Sequence, residues 1–154
     1  MLILLSFKTT FKEVYGEGHE PQEYTGHEYT ERINASSYNN IYVHDCVFRD
    51  ISSSNNGGAL CCNGNVHKLH IEQSSFISCS TSDRGGGIYF DSTTSGQCVL
   101  SRICAFDCSA TDYGQFAFIF TNNNISYLNN VNKTSIMHIL KKSTKFFANI
   151  ITNV

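Results

Sequence analysis

The sequence predicts an all-β protein of the parallel β-helix class, a solenoid in which successive coils stack their strands on one another. Aromatic residues, glycines and apolar runs recur with a period of roughly 29 residues between positions 41 and 128. The apolar runs are about four to eight residues long, rich in Val, Ile, Phe and Tyr, and bounded by Gly, Asn and Ser, as in strands and turns. A unit this small cannot bury its own apolar face, so neighbouring units must pack together.

Each predicted coil begins with an apolar strand that is followed by a phenylalanine. The strands cover 41–43, 69–71 and 98–100, and the phenylalanines are Phe48, Phe76 and Phe106. Their spacings in the chain are 76 − 48 = 28 and 106 − 76 = 30. Side chains alternate across a strand, so we expect Val43 and Ile71 to point into the core. The three phenylalanines are expected to form a ladder.

A polar corner that ends in glycine leads into the second strand of each predicted coil. These glycines are Gly57, Gly85 to Gly87 and Gly114, and the strands after them cover 59–61, 88–90 and 116–118. The expected inward stacks are Ala59, Ile88 and Phe116, then Cys61, Phe90 and Phe118. A further polar corner closes each coil, at 63–65, 93–96 and 122–124.

The composition agrees with stacked corners and argues against nucleic acid as a partner. Only 16% of residues are charged, whereas Ser, Asn and Thr together make 18 + 15 + 12 = 45 of 154 residues. Like charges stacked on adjacent coils would repel, so amides and hydroxyls suit these positions. The net charge of −2, with no basic stripe, lacks the footprint of a nucleic-acid binder.

The chain is expected to divide into three parts. Residues 1–37 are predicted to be an acidic leader or irregular cap, residues 38–128 the parallel β-helix, and residues 129–154 a degenerate coil or capping tail. Six Glu lie between 13 and 31, and the stretch 12–37 has no hydrophobic periodicity, which favours a solvated linker over a metal site at its two Gly-His-Glu motifs. The apolar opening is too short to span a membrane and has no basic region typical of a signal peptide.

The repeat resembles the polymorphic outer-membrane-protein repeat of surface adhesins, within the right-handed parallel β-helix (pectate-lyase-like) class. That repeat pairs Phe-x-x-Asn with Gly-Gly-Ala-Ile. Here the Asn is replaced by Ile51, Cys79 and Ser109, and the glycine motif stands as 57–60, 85–88 and, eroded, 114–117. The match covers about residues 41 to 128. The resemblance implies a right-handed coil and an adhesin-like role.

The sequence shows no convincing catalytic, cofactor or metal constellation. Glycosidic bond cleavage needs two nearby carboxylates, and Ca²⁺ needs several oxygen ligands. In the predicted register no two Asp residues share a stack. Seven Cys are present, an odd number. Cys79 and Cys108 come from adjacent coils and would reach disulfide distance after a one-residue slip, but small apolar core fillers are the favoured interpretation.

One charged constellation is predicted, on the outward face of the first strands. His44, Glu72 and Arg102 each lie four residues before a repeat phenylalanine, so we expect them on successive coils. An exposed salt-bridge ladder is the favoured interpretation, and a ligand contact is the alternative, with Tyr42 as a stacking surface for sugar.

The functional hypothesis is a surface or extracellular adhesin-like interaction module without catalytic activity. Its partner would be a host-surface protein or a glycan, and the array would continue into further repeats. Two alternatives stay open: a fragment of a carbohydrate-active β-helix enzyme, and a structural spacer.

Overall fold

Parallel strand pairing defines the fold of the computed structural model, a β-solenoid of about three coils. The structure describes residues 8–92 and 96–121 in full, and residues 127–132, 137–141 and 148–149 as backbone strands. The predicted all-β solenoid class is therefore confirmed. Its right-handed sense stays a prediction.

Among the described residues, one short helix precedes the strands. The elements are α1 (Phe11–Tyr15), β1 (Gln22–Thr25), β2 (Glu28–Tyr29), β3 (Ile33–Asn34), β4 (Asn40–His44), β5 (Val47–Arg49), β6 (Ser52–Ser53), β7 (Leu60–Asn63), β8 (Lys68–Glu72), β9 (Ser75–Ile77), β10 (Ser80–Thr81), β11 (Ile88–Ser92), β12 (Gln97–Phe106), β13 (Ser109–Ala110), β14 (Ala117–Thr121), β15 (Tyr127–Asn132), β16 (Met137–Lys141) and β17 (Ala148–Asn149).

The strands form three parallel sheets that run along the solenoid. The first sheet joins β1, β4, β8, β12, β15 and β17, and it also carries the row β2, β5, β9 and the end of β12. The second sheet has the order β3, β7, β11, β14, β16. The third sheet, β6, β10 and β13, lies inside the segments that the sequence predicted as polar corners. The serine-rich corners thus form a short parallel sheet, which the hydrophobic periodicity of the sequence did not reveal.

Residues with positive φ mark equivalent turns in the three coils. One set is Asp45, Gln73 and Arg102, the second is Asp50, Ser78 and Asp107, and the third is Gly57, Gly85 and Gly114. In every set the spacing between the second and third coils is one residue longer than that between the first and second, for example 73 − 45 = 28 and 102 − 73 = 29. These turns, more than the phenylalanines, show where each coil repeats.

The predicted ladder of three phenylalanines is wrong at its third member. Phe48 and Phe76 stack with ring centroids 4.6 Å apart. The position opposite Phe76 on the next coil is Ala105, and Phe106 is 57% exposed. Phe116 packs against Phe76 instead, with ring centroids 5.4 Å apart. The predicted inward direction of Val43 and Ile71 is confirmed, since both are fully buried in the core.

The predicted register of the second sheet is also off by one residue in two coils. The rows aligned across the strands are Leu60, Ile88 and Ala117, followed by Cys62, Phe90 and Ile119. Ala59 and Phe116 are buried in the core as predicted, but they lie one position before Leu60 and Ala117, the residues that pair with Ile88. Cys61 and Phe118 lie on the opposite side of the sheet with Tyr89, in a separate apolar cluster. The prediction aligned the first apolar residue of each run, whereas the structure aligns Gly57, Gly85 and Gly114. The left-handed turn therefore sets the register.

Parallel pairing begins before the predicted boundary at residue 38. Gln22–Thr25 pairs with β4, Glu28–Tyr29 with β5 and Ile33–Asn34 with β7, so a stretch expected to be a solvated linker adds strands to the solenoid. Pairing also continues past residue 128 through β15, β16 and β17. Where the domain begins and ends stays a prediction. Of the predicted degenerate coil or capping tail at 129–154, residues 133–136, 142–147 and 150–154 lie outside the described residues.

No helix within the described part of the chain is long and apolar enough to cross a membrane. The apolar opening before Lys8 lies outside the described residues.

Candidate binding face on the first sheet

The residues next to the core positions of the first sheet project to its outer side. We call Tyr42, His44, His70, Glu72 and Val99 the outer face. Tyr42, His70 and Val99 are aligned across three strands, and His44 is aligned with Glu72. Although they point away from the core, all five are at most 9% exposed. Another part of the chain must therefore cover them.

The cover is a segment of residues 8–15, which we call the N-terminal arm. Thr10 is the N-cap of helix α1: its hydroxyl accepts from the Glu13 backbone while the Glu13 carboxylate accepts from the Thr10 backbone. This capping box satisfies backbone groups that a short helix otherwise leaves unpaired. Phe11 is 4% exposed and lies with its ring centroid 5.9 Å from that of Tyr42. The arm thus buries one of its aromatic rings against the outer face.

Glu72 is the centre of the polar contacts between the arm and the outer face. Its side chain is fully buried, and both carboxylate oxygens lie 3.0 Å from the backbone nitrogen of Thr9. The guanidinium of Arg102 donates to the same carboxylate. A buried carboxylate needs such partners, because an unpaired one would carry a large desolvation penalty. Glu72 therefore depends on the arm for part of its hydrogen bonding.

Two tyrosine hydroxyls join the arm to the sheet in opposite directions. Tyr42 donates to the carbonyl of Thr9 at 3.1 Å, and Tyr15 of the arm donates to the carbonyl of Leu69 at 2.7 Å. Burial raises the pKa of Tyr42, with the negative charge of Glu72 as the next cause. Its phenol is therefore protonated and able to donate at neutral pH.

His44 lies at the edge of the outer face among charged neighbours. Its Nε2 contacts the carboxylate of Glu23, and its Nδ1 lies 2.9 Å from that of Asp45. Lys8 of the arm contacts the same imidazole and lies 2.6 Å from Asp45. Hydrogen bonds from Lys8 and then His44 lower the pKa of Asp45. The ion pair between the half-exposed Lys8 and Asp45 thus attaches the start of the arm to the edge of the outer face.

The structure brings all four sequence-predicted site residues together, with one correction of register. Arg102 does not lie opposite Glu72; that position is Ser101, and Arg102 occupies the positive-φ turn after it. Its side chain nevertheless reaches back to form the ion pair with Glu72. The face was expected to be an exposed ladder, and it is buried because the arm covers it. Whether Tyr42, His44, Glu72 and Arg102 contact a ligand stays a prediction.

Sequence reasoning missed the arm and His70. The residues concerned are Lys8, Thr9, Phe11, Tyr15 and His70. A signal was present, since Thr10 and Glu13 have capping-box spacing and Phe11 and Tyr15 are four residues apart, on one helix face. Nothing in that pattern states which distant strand the helix covers.

His70 is an unusual member of the outer face because it is buried and titratable. Within the described part of the chain neither ring nitrogen has a hydrogen-bond partner, and Nε2 lies 3.5 Å from Glu72. The ring stacks on Tyr42 with centroids 4.9 Å apart. Burial is the main cause that lowers the pKa of His70 to about 4. The folded protein therefore favours the neutral imidazole.

We expect His70 to make the protein less stable in acid. Its pKa falls from 6.5 to about 4 on folding, so between these values the unfolded chain binds the proton more readily. Stability should fall as the pH drops from about 6.5 to about 4, by up to about 3 kcal/mol. Urea unfolding of the wild type and His70→Leu across this range measures it. The variant should show a shallower dependence, and parallel curves would contradict the assignment.

The described residues contain no group of three or more His, Cys, Asp or Glu side chains arranged to hold a metal ion. They do bring two acids together that the predicted register kept apart. The backbone nitrogen of Asp112 donates to the carbonyl of Asp83 on the neighbouring coil at 3.1 Å. Arg84 lies beside them and forms an ion pair with Asp112 at 2.8 Å.

All seven cysteines are free in the structure. Cys79 and Cys108 precede Ser80 and Ser109, which are paired, so the two stack without the slip that the sequence suggested. A hydrogen bond between the thiols raises the pKa of Cys79 and lowers that of Cys108. Both side chains are buried in the core, in agreement with the favoured interpretation as core fillers.

Comparisons with protein-family models, with curated proteins and with solved structures found no match to this chain. The resemblance to the polymorphic outer-membrane-protein repeat therefore stays a prediction from the motifs. The fold rests on the strand pairing itself.

Proposed function

We propose that this protein is a non-catalytic interaction module that acts at a cell surface or outside the cell and binds a surface protein or a glycan. The outer face is its binding site. The observation that supports this proposal is the docking of the N-terminal arm, in which Phe11 and the Thr9 backbone engage Tyr42 and Glu72. A face that holds one segment through aromatic and polar contacts has the chemistry to hold a ligand.

The chemistry of the outer face suits both ligand classes. Tyr42 offers an aromatic surface with a hydroxyl, which can stack on a sugar or a side chain. Glu72 and Arg102 offer a buried acceptor and a charged donor, and such groups fix orientation in binding sites. The surrounding parallel strands hold these groups on a rigid scaffold.

A binding experiment with intact cells and a glycan array tests the proposal. The full chain and a Phe11→Ala/Tyr15→Ala variant, whose arm should detach, are compared. We expect saturable binding, with a dissociation constant at least tenfold lower for the arm variant, because its outer face is open. Adding Tyr42→Ala to the arm variant should abolish this binding, whereas adding Phe106→Ala, on an exposed side chain, serves as the matched control. Retention of neither chain would contradict the proposal and favour a structural spacer.

One observation favours a second candidate, a carbohydrate-active enzyme. Asp83, Asp112 and Arg84 lie together at adjacent corners, and paired acids beside a basic residue are the groups that polysaccharide cleavage uses. The test is release of new chain ends from polyuronates and neutral glycans, for the wild type and for Asp83→Asn/Asp112→Asn. Activity that the double variant loses would support this candidate. Equal background release from both proteins would exclude it.

A further inference from the structure

The contacts between the N-terminal arm and the outer face have the character of an interface between separate elements. The arm inserts Phe11, donates the Tyr15 hydroxyl to the Leu69 carbonyl, and presents the Thr9 backbone to Glu72 and Tyr42. Lys8 adds an ion pair with Asp45. These groups lie within eight consecutive residues, so the arm is a self-contained ligand for the face.

The arm obtains its structure from the face. Helix α1 has five residues, and an isolated helix shorter than about 12 residues is marginal in water. The capping box between Thr10 and Glu13 helps the first turn but cannot replace tertiary packing. The arm therefore folds when it is docked, on whichever molecule supplies the docking site.

The connection between the arm and the solenoid, residues 16–21, has the features of a hinge. Gly16 and Gly18 both have positive φ, and a Cβ added to either would meet no atom of the described residues within 4 Å. A cavity of about 280 Å³ separates this connection from Phe11 and Tyr42. The exposed Gly16 and Gly18 can therefore change their backbone angles without displacing a core side chain.

We propose that two copies of this chain exchange their N-terminal arms, each arm docking on the outer face of the other copy. The structure shows how the arm fits the face, and exchange keeps the contacts that Thr9, Phe11 and Tyr15 make with it. The change required is confined to the hinge at 16–21. Exchange of an identical element is an established low-cost route to a closed twofold dimer. The small net charge of −2 leaves little repulsion between the copies.

Shortening the hinge tests the proposal on the intact chain. Deleting residues 17–19 reduces the reach of the connection by roughly 10 Å, which hinders docking in the same molecule and leaves docking on a second copy possible. Light scattering after size-exclusion chromatography should show a concentration-dependent dimer for the wild type and at least a tenfold lower dimer dissociation constant for the deletion. Two monomeric proteins across the accessible concentration range would overturn the proposal.

Mixing two defective copies distinguishes arm exchange from any other dimer. Phe11→Asp/Tyr15→Asp removes the aromatic contacts of the arm in one variant, and Tyr42→Asp places a charge on the outer face of the other. Circular dichroism checks that both variants fold. Each variant alone should be monomeric, and the equimolar mixture should form heterodimers. Dimers of the arm variant alone, or a mixture that stays monomeric, would overturn the proposal. Since this test uses no cell or glycan, failure of the proposed function leaves its outcome unaffected.

Discussion

The Gly86→Ala variant should lose more than about 4 kcal/mol of unfolding free energy, which is the range of exceptionally disruptive substitutions. A Cβ at Gly86 would lie 2.2 Å from the carbonyl oxygen of Gln115 and 2.4 Å from that of Ser109. Both atoms belong to the backbone of the next coil, so neither can move without breaking the parallel ladder. Urea denaturation followed by circular dichroism measures the loss.

Gly64→Ala is the matched control for this prediction. Gly64 has φ +67°, and a Cβ there would meet no atom within 4 Å in the part of the chain that the structure describes. The control variant carries only left-handed backbone strain, about 1–2 kcal/mol, while Gly86→Ala carries the clash between coils. Similar losses in the two variants would show that coil-to-coil contact at Gly86 is looser than the structure describes.

The second large effect concerns the aromatic ladder. Phe76→Ala should cost about 3–5 kcal/mol, because it empties a fully buried site between two other aromatic rings. Phe76 is 0% exposed and contacts both Phe48 and Phe116. Phe106→Ala should change stability by less than about 0.5 kcal/mol, as expected for a surface substitution.

These two variants decide between the register of the sequence pattern and that of the structure. If Phe106 completed the ladder, both substitutions would be severe. If Ala105 occupies the ladder position, only Phe76→Ala is severe. Thermal unfolding of both variants beside the wild type is sufficient to separate the two cases. Comparable losses of stability in the two variants would show that Phe106 packs in the core.

Much of the solenoid could be predicted because its physical cause is local and repeated. Glycine at Gly57, Gly85 and Gly114 permits the left-handed turn, and short apolar strands between polar corners require stacking. The pattern failed where a coil differs in length. From the second coil to the third the glycine turn advances by 114 − 85 = 29, whereas the phenylalanines of the pattern advance by 106 − 76 = 30. An aromatic side chain alone does not reveal on which side of the strand it lies.

The candidate site was predictable in part for a similar reason. Glu72 and Arg102 are placed near each other by the repeat period, so their ion pair followed from the register to within one residue. The covering of that pair by Thr9 and Phe11 did not follow. The arm lies outside the repeat, and the nitrogen of Thr9 meets a carboxylate 63 residues further along the chain.

The sequence by itself determined that this chain stacks parallel strands in repeated coils with uncharged corners. Periodicity suffices for that, because each coil repeats the same backbone requirements. Only the tertiary structure decided that Ala105 takes the ladder position and that the N-terminal arm closes over Tyr42 and Glu72. Those outcomes depend on which surfaces fit in three dimensions, and a contact between residues distant in the chain leaves no repeating pattern in the sequence.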